Sequence, residues 1–371
     1  MTRRPVRPVV RPVRSPKRNN QNPTPGSGCD HRLGLIKAKG RDFIQDLSGR
    51  DCLALTDDGT IITMSNRAWL LLLCLALIWG ASFYFIEIGL IYLDPFWLVS
   101  LRLTSGAAAL FLWLTINRVA LPRDRRFWGA TLIMGCLNNV IPFTLIAFGQ
   151  QYVTGGLASI INANTAFISI IISGIFIASE PVKRHRVVGV LIGICGVAIA
   201  IGGNDSATSA ADNAGLTGEL AIVLATVSYA LAAAWGKLKL TRYTPLQGAA
   251  GMLLCSAALS LIVSAVVTGP PTLQLGEAPL AGLQLIVGLG VLGTAVAYPL
   301  YFKILDVAGS SNLMLVTIIV PVFAVLLDAA LLGQFVTGTN LLGFAIVTGG
   351  LLILDGRLGA ATAQNHDTRN N

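Results

Sequence analysis

The chain has 371 residues, of which 54% are hydrophobic and only 12% charged, about half the charged share of ordinary soluble proteins. So little charge cannot cover a water-exposed surface, which excludes a soluble globular protein. The net charge of +9 does not indicate a nucleic-acid partner: residues 1–67 hold 13 Lys and Arg against 6 Asp and Glu, and the remainder is nearly neutral at +2.

The chain opens on "MTRRPVRPVVRPVRSPKRNN", where proline at high density and like charges cannot build a packed core. Residues 1–63 therefore read as a disordered basic extension, and attraction to anionic lipid headgroups is its functional reading. Met64, followed by "SNRAWLLLLCLALIWG", resembles a natural start, which would place that extension upstream of it. No apolar run follows the basic stretch until Trp69, so the segment is not read as a secretory signal.

From residue 68 the apolar runs reach the length that crosses a hydrocarbon core, about 20 residues. They lack the alternation of barrel strands, so each predicts a helix. The fold class expected is an all-α polytopic membrane protein. Ten spans are predicted: 68–90, 96–116, 128–149, 156–179, 187–202, 217–238, 245–267, 281–302, 310–332 and 339–354. The fifth and tenth are short and glycine-rich. Cys74, Cys136, Cys195 and Cys255 fall within these runs and read as small buried hydrophobes.

Every second connection, with the span ends beside it, is basic. The four such connections carry Arg118, Arg123, Arg125 and Arg126; Lys183, Arg184 and Arg186; Lys237, Lys239 and Arg242; and Lys303. The intervening loops, including "GNDSATSAADNAG" and "TGPPTLQLGEAP", contain no Lys or Arg. Cytoplasmic loops collect basic residues, so both termini are expected in the cytoplasm.

The segment "LIMGCLNNVIPFTLIAFGQQYVTGGLASIINANTAFISIIISGIFIASEPV" can be laid over "LIVGLGVLGTAVAYPLYFKILDVAGSSNLMLVTIIVPVFAVLLDAALLGQFV" at an offset of 153 to 155 residues. Two halves, 64–202 and 217–356, are therefore expected, joined by an external loop at 203–216 and followed by a cytoplasmic tail at 357–371. Five spans per half is an odd number, so the halves enter the membrane from opposite sides. Inverted repeats of this kind recur in secondary transporters, with the substrate site between the halves.

The stretches "WGASFYFIEIGL" (Trp79 to Leu90), "LRLTSGAAALFLWL" around Arg102, "ASEPV" around Glu180, "YFKILDVAGSSNLMLVTIIVPVFAVLLDAALLGQ" (Tyr301 to Gln334) and "LLGFAIVTGGLLIL" together resemble the EamA-type transporters of the drug/metabolite transporter superfamily, over residues 68–356. The resemblance implies a ten-helix permease of the cytoplasmic membrane that exports or imports small metabolites, amino acids or drugs and uses no cofactor. The sequence departs from the family pattern at Glu87, where lysine is common, and at Gln334, where an acidic residue is usual.

Ionisable residues inside spans are expensive and mark function by default. At 1.5 Å per residue Glu87 lies ~7 Å and Arg102 ~10 Å below the outer boundary, on sequential helices. A charge pair is expected between them; the alternative has Glu87 facing an outer vestibule and Arg102 snorkelling to the headgroups. Asp328 and Glu87 are the candidates for proton coupling, against a purely structural role. Amides, hydroxyls and prolines in spans three, four, eight and nine suggest a cavity lining, for which Asn139, Asn162, Asn164 and Tyr298 are the chosen candidates, with Trp79 and Tyr229 as aromatic walls. The same polar groups could instead glue helices together. Gly189 and Gly193 form a G-x-x-x-G, readable as a homodimer contact or as internal packing.

No catalytic cluster or metal-ligand spacing is visible, and His31, His185 and His366 lie in tails or a loop. No metal and no nucleic acid is expected; the partners are a small-molecule substrate and the bilayer. The rival readings are a membrane-embedded enzyme and a receptor or assembly subunit.

Overall fold

The computed structural model describes residues 64–176, 184–202, 210–270 and 279–355. The extension at 1–63, the tail at 357–371, the start of the loop at 203–216, Glu180 and Lys183 lie outside the described residues. Among the described residues nine helices are long and apolar enough to cross a membrane: α1 (Asn66–Leu90), α2 (Pro95–Ile116), α3 (Arg125–Gly149), α4 (Gly155–Phe176), α5 (Arg184–Ile201), α6 (Ala214–Lys239), α7 (Pro245–Val267), α8 (Pro279–Gly309) and α9 (Leu315–Leu332). A shorter apolar helix, α10 (Gly338–Leu354), follows. The chain is a multi-pass helical membrane protein.

Helix starts follow local chemistry. The first backbone N–H groups of a helix have no internal acceptor, and a short polar side chain supplies one. Asp94 accepts from Phe96 N at 2.9 Å and Trp97 N at 3.2 Å, with Pro95 at the first helical position. Thr244 and Gln247 form a reciprocal capping box ahead of α7, and Thr337 and Asn340 do the same for α10. These polar starts fix where each apolar run enters its helix.

The largest departure from the predicted spans is at α8, which runs to Gly309 rather than ending at 302. Lys303 and Asp306 make its last turns look like a loop in sequence, yet propensity and backbone bonding continue the helix until Gly309, whose φ of 77° suits glycine alone. Two helices widen into π-helical turns upstream of a proline, α3 over Cys136–Val140 before Pro142 and α8 over Leu285–Val296 before Pro299. Proline lacks the N–H of a regular ladder, so a wider turn beside it rearranges the backbone bonds locally. Helix α4 is interrupted between Asn162 and Thr165.

Packing connects the two halves of the sequence. Helix α1 packs on α8 and α9, α2 on α7 and α8, α3 on α6 and α7, α4 on α6 and α9, and α5 on α10. Large side chains such as Leu72, Leu103, Ile160 and Phe167 are buried between helices, whereas Leu70, Ile175 and Val266 point outward, as a lipid-facing surface requires. Cys74 and Cys195 also lie on the exposed side, not in the core as expected; a thiol is apolar enough for lipid contact.

Helices α5 and α10 meet backbone to backbone. A Cβ on Gly196 would stand 2.7 Å from Val347 N, and one on Gly343 would stand 2.6 Å from Ala200 N. Gly189 faces Gly350 in the same crossing, and Gly193 receives the ring of Phe167. The G-x-x-x-G is thus filled from within the chain. With hydrocarbon on all sides, this close van der Waals approach, rather than water exclusion, holds the pair together.

Candidate functional site

A cavity of about 830 Å³ lies between the helices, a volume within the range of small-molecule sites. Its walls come from α1, α2, α3, α4, α6, α7, α8 and α9. One end is bounded by Lys237, Leu240, Thr241, Tyr243 and Thr244, at and beside the α6–α7 connection, and it reaches inward to Ile86 and Arg102. The α6–α7 connection is tied to the α2–α3 connection, where Tyr243 Oη donates to Asp124 Oδ2 at 3.2 Å and Gln247 Nε2 to the Ala120 carbonyl at 3.1 Å.

Trp79, Asn162, Tyr229 and Tyr298 line the cavity. Trp79 and Tyr301 form one aromatic wall with ring centroids 5.9 Å apart, and Phe143 and Tyr229 another at 6.4 Å. Asn139 and Asn164 are buried but do not line it. Asn139 instead is a strut: its amide donates to Ser256 Oγ at 2.9 Å, and its carbonyl accepts from Tyr298 Oη at 3.1 Å. The neighbouring Asn138 faces the cavity and donates to Tyr298 Oη at 3.1 Å. Successive residues of a helical turn point in different directions, so one amide of the pair serves the wall and the other the packing behind it.

Arg102 is not paired with Glu87. Its depth on α2 matches that of Glu87 on α1, but α8 packs against both helices and supplies the partner. Arg102 Nε donates to Thr294 Oγ1 on α8 at 3.2 Å, and Thr294 in turn donates to the Leu289 carbonyl at 3.1 Å. The guanidinium carbon sits 3.8 Å from the Phe143 ring centroid. Only 7% of Arg102 is exposed, so it does not snorkel either; it forms part of the cavity wall. Arg102 and Thr294 are therefore wall residues that the selection by amides and aromatics passed over. The available signal was an arginine in an apolar span with no acid at helical spacing on its own helix.

Glu87 belongs to a different cluster, at the opposite end of the helices from the α6–α7 connection. Its Oε2 accepts from Gly155 N at 3.3 Å, and its Oε1 accepts from the Gln334 side-chain amide. Asp328, 2% exposed, accepts from Gly156 N at 2.5 Å through Oδ2, while its Oδ1 has no hydrogen-bond partner. Two carboxylates from α1 and α9 thus hold the first turn of α4, where unpaired N–H groups and the helix dipole favour negative charge. Gln150 Nε2 adds a bond to the Phe83 carbonyl at 2.9 Å. Nearby, Trp97 Nε1 donates to the Gly269 carbonyl at 3.1 Å, and Ser100 and Ser264 are hydrogen-bonded at 2.8 Å. Among the described residues no group of three His, Cys, Asp or Glu is placed to hold a metal ion.

A multi-pass helical bundle enclosing a chamber sized for a small solute defines a membrane protein of the transporter class. Comparison with known proteins gives the family: the profile of the EamA-like transporter family matches residues 66–202 and again residues 216–354, and the chain belongs to that family. It is 25% identical over 296 residues to a probable amino-acid metabolite efflux pump of Salmonella typhimurium, covering 78% of this chain and 95% of that protein. It is 23% identical to the uncharacterized transporter YoaV of Bacillus subtilis over 76% of this chain and 94% of that one. It is also 23% identical to the uncharacterized inner membrane transporter YedA of Escherichia coli over 74% of this chain and 86% of that one. A solved crystal structure superposes with a TM-score of 0.56 at 20% identity, covering 79% of this chain and 98% of the other, which supports the fold.

Proposed function

We propose that the protein is a secondary transporter that carries a small metabolite across the cytoplasmic membrane by alternating access between two inverted five-helix halves. The observation that carries this reading is the cavity, lined at one end by residues at and beside the α6–α7 connection, with the Glu87 and Asp328 cluster holding α4 at the opposite end of the helices; we read the first end as open and the second as sealed. The α6–α7 connection is one of the basic ones, so this is a cytoplasm-facing state with both termini in the cytoplasm. The inverted arrangement is supported by the double family match and by the packing. Replacing each helix by the one five places along turns the α1–α9 contact into α6–α4, α2–α8 into α7–α3 and α1–α8 into α6–α3, all of which occur. Such an exchange is expected of two halves related by a pseudo-two-fold axis.

Opening to the far side requires α4 to leave α1 and α9, which exposes both carboxylates to the external solution. Their charged forms suit the α4 N terminus and their protonated forms do not, so proton binding there loosens the seal and couples transport to a proton gradient. The names of relatives favour export, with amino-acid metabolites as one cargo class. The test is flux in proteoliposomes with and without a proton gradient. Gradient-stimulated counterflow that Glu87→Gln and Asp328→Asn make insensitive to pH supports the reading; unchanged pH dependence in both variants removes the coupling.

A further inference from the structure

The deep end of the cavity holds a cation without a counter-charge. Arg102 is more than nine-tenths buried, its Nε is taken by Thr294, and the ring of Phe143 covers one face of the guanidinium. No described residue accepts a hydrogen bond from its Nη1 or Nη2, and no Asp or Glu lines the cavity. A guanidinium does not lose its proton, and a buried charge is costly unless something pairs with it. Glu87, the acid at similar depth, is engaged by Gly155 and Gln334 instead. The paired state of this arginine is therefore one in which the cavity contains an anion.

We propose that Arg102 anchors the carboxylate of the transported solute, so that the cargo is a small carboxylic acid with an apolar or aromatic body; this rests on the transporter reading above. The guanidinium is preset for the task. Thr294 fixes Nε and Phe143 fixes the plane, which leaves the Nη1 and Nη2 edge for the two oxygens of one carboxylate. Gly293 sets no side chain beside Nη2, which stands 4.0 Å from where a Cβ would be. The aromatic walls of Trp79, Phe143 and Tyr229 accept the body of the solute. Arg102 is the charged group at the deep end of the lining, so that end of the chamber attracts anions and repels cationic drugs.

The test titrates the full chain in lipid nanodiscs with phenylacetate, indole-3-acetate and 4-methylpentanoate, each against its neutral amide, and with inorganic phosphate. The expected result is that at least one acid binds about tenfold or more tightly than its amide in the wild type, because a bidentate charged pair is lost in the amide. Arg102→Gln abolishes that difference, and Arg102→Lys keeps part of it. Equal binding of acid and amide, binding of no acid, or displacement of every acid by phosphate at similar concentration overturns the proposal. The wild-type comparison needs no variant to fold. Counterflow of the same solutes separates the two readings: amides crossing as fast as acids leaves a transporter without the anchor, whereas acid-selective binding without flux leaves the anchor without transport.

Discussion

The side-chain amide of Gln334 donates to the carboxylate of Glu87, joining the α9–α10 link to α1 at the sealed end of the cavity. These are the two positions where the resemblance to the EamA-type transporters implies a lysine and an acid instead. In contact, they explain one another. A glutamate at 87 beside an acid at 334 would set two negative charges together, and the amide removes one of them while keeping a hydrogen bond. Gln334→Glu is therefore expected to destabilise the protein by on the order of 1–3 kcal/mol. The penalty should shrink as pH falls and either carboxylate is protonated. Adding Glu87→Lys should restore stability by making an ion pair; thermal denaturation of the single and double variants in detergent would falsify the contact if no rescue appears.

Asp328 holds α4 shut through Gly156. Asp328→Asn replaces a charge-assisted bond worth about 1.5–3 kcal/mol by a neutral one weaker by about 1 kcal/mol or slightly more, which shifts the open-to-closed balance of the far side by about five- to tenfold. In a cysteine-free background, Ile86→Cys at the deep end of the cavity reports this. A membrane-impermeant thiol reagent applied from the far side should label it several times faster when Asp328 is Asn; equal labelling rates would mean that the carboxylate is no latch.

The α5–α10 crossing tolerates no Cβ at its contact points but does beside them. Gly343→Ala would place a methyl 2.6 Å from Ala200 N, whereas nothing lies within 4 Å of a Cβ at Gly349. The expected cost is about 1–3 kcal/mol for Gly343→Ala, as for other overpacked sites. Gly349→Ala should be neutral, and comparable melting temperatures for the two would refute this crossing geometry.

Asn139 and Asn162 should separate stability from binding. Asn139→Leu removes the acceptor of Tyr298 Oη and the amide that donates to Ser256 Oγ, and should lower stability by on the order of 1–3 kcal/mol. Asn162→Ala removes a carbonyl that bonds to nothing in the protein, so stability should hold while solute affinity changes. Parallel melting and titration of the two variants checks this; a large stability loss in Asn162→Ala with unaltered binding would place it in the scaffold.

Composition and periodicity were enough to specify a helical membrane protein, since lipid leaves backbone groups no partner and permits few alternatives. Capping residues such as Asp94, Thr244 and Thr337 mark where helices begin, because capping is chemistry between residues two or three apart. The aromatic and amide candidates Trp79, Tyr229, Tyr298 and Asn162 were legible as cavity residues because polar groups in lipid spans need a reason to be there. What no local rule could supply was which helix faces which. Depth along the sequence put Glu87 opposite Arg102, but rotation about each helix axis and the packing of α8 against both α1 and α2 gave Arg102 to Thr294 and Glu87 to Gly155 and Gln334. Asn138 and Asn139 differ in role for the same reason. Helix rotation is set by side chains far apart in sequence, so only the tertiary structure decided that the arginine, and not the acids, faces the chamber.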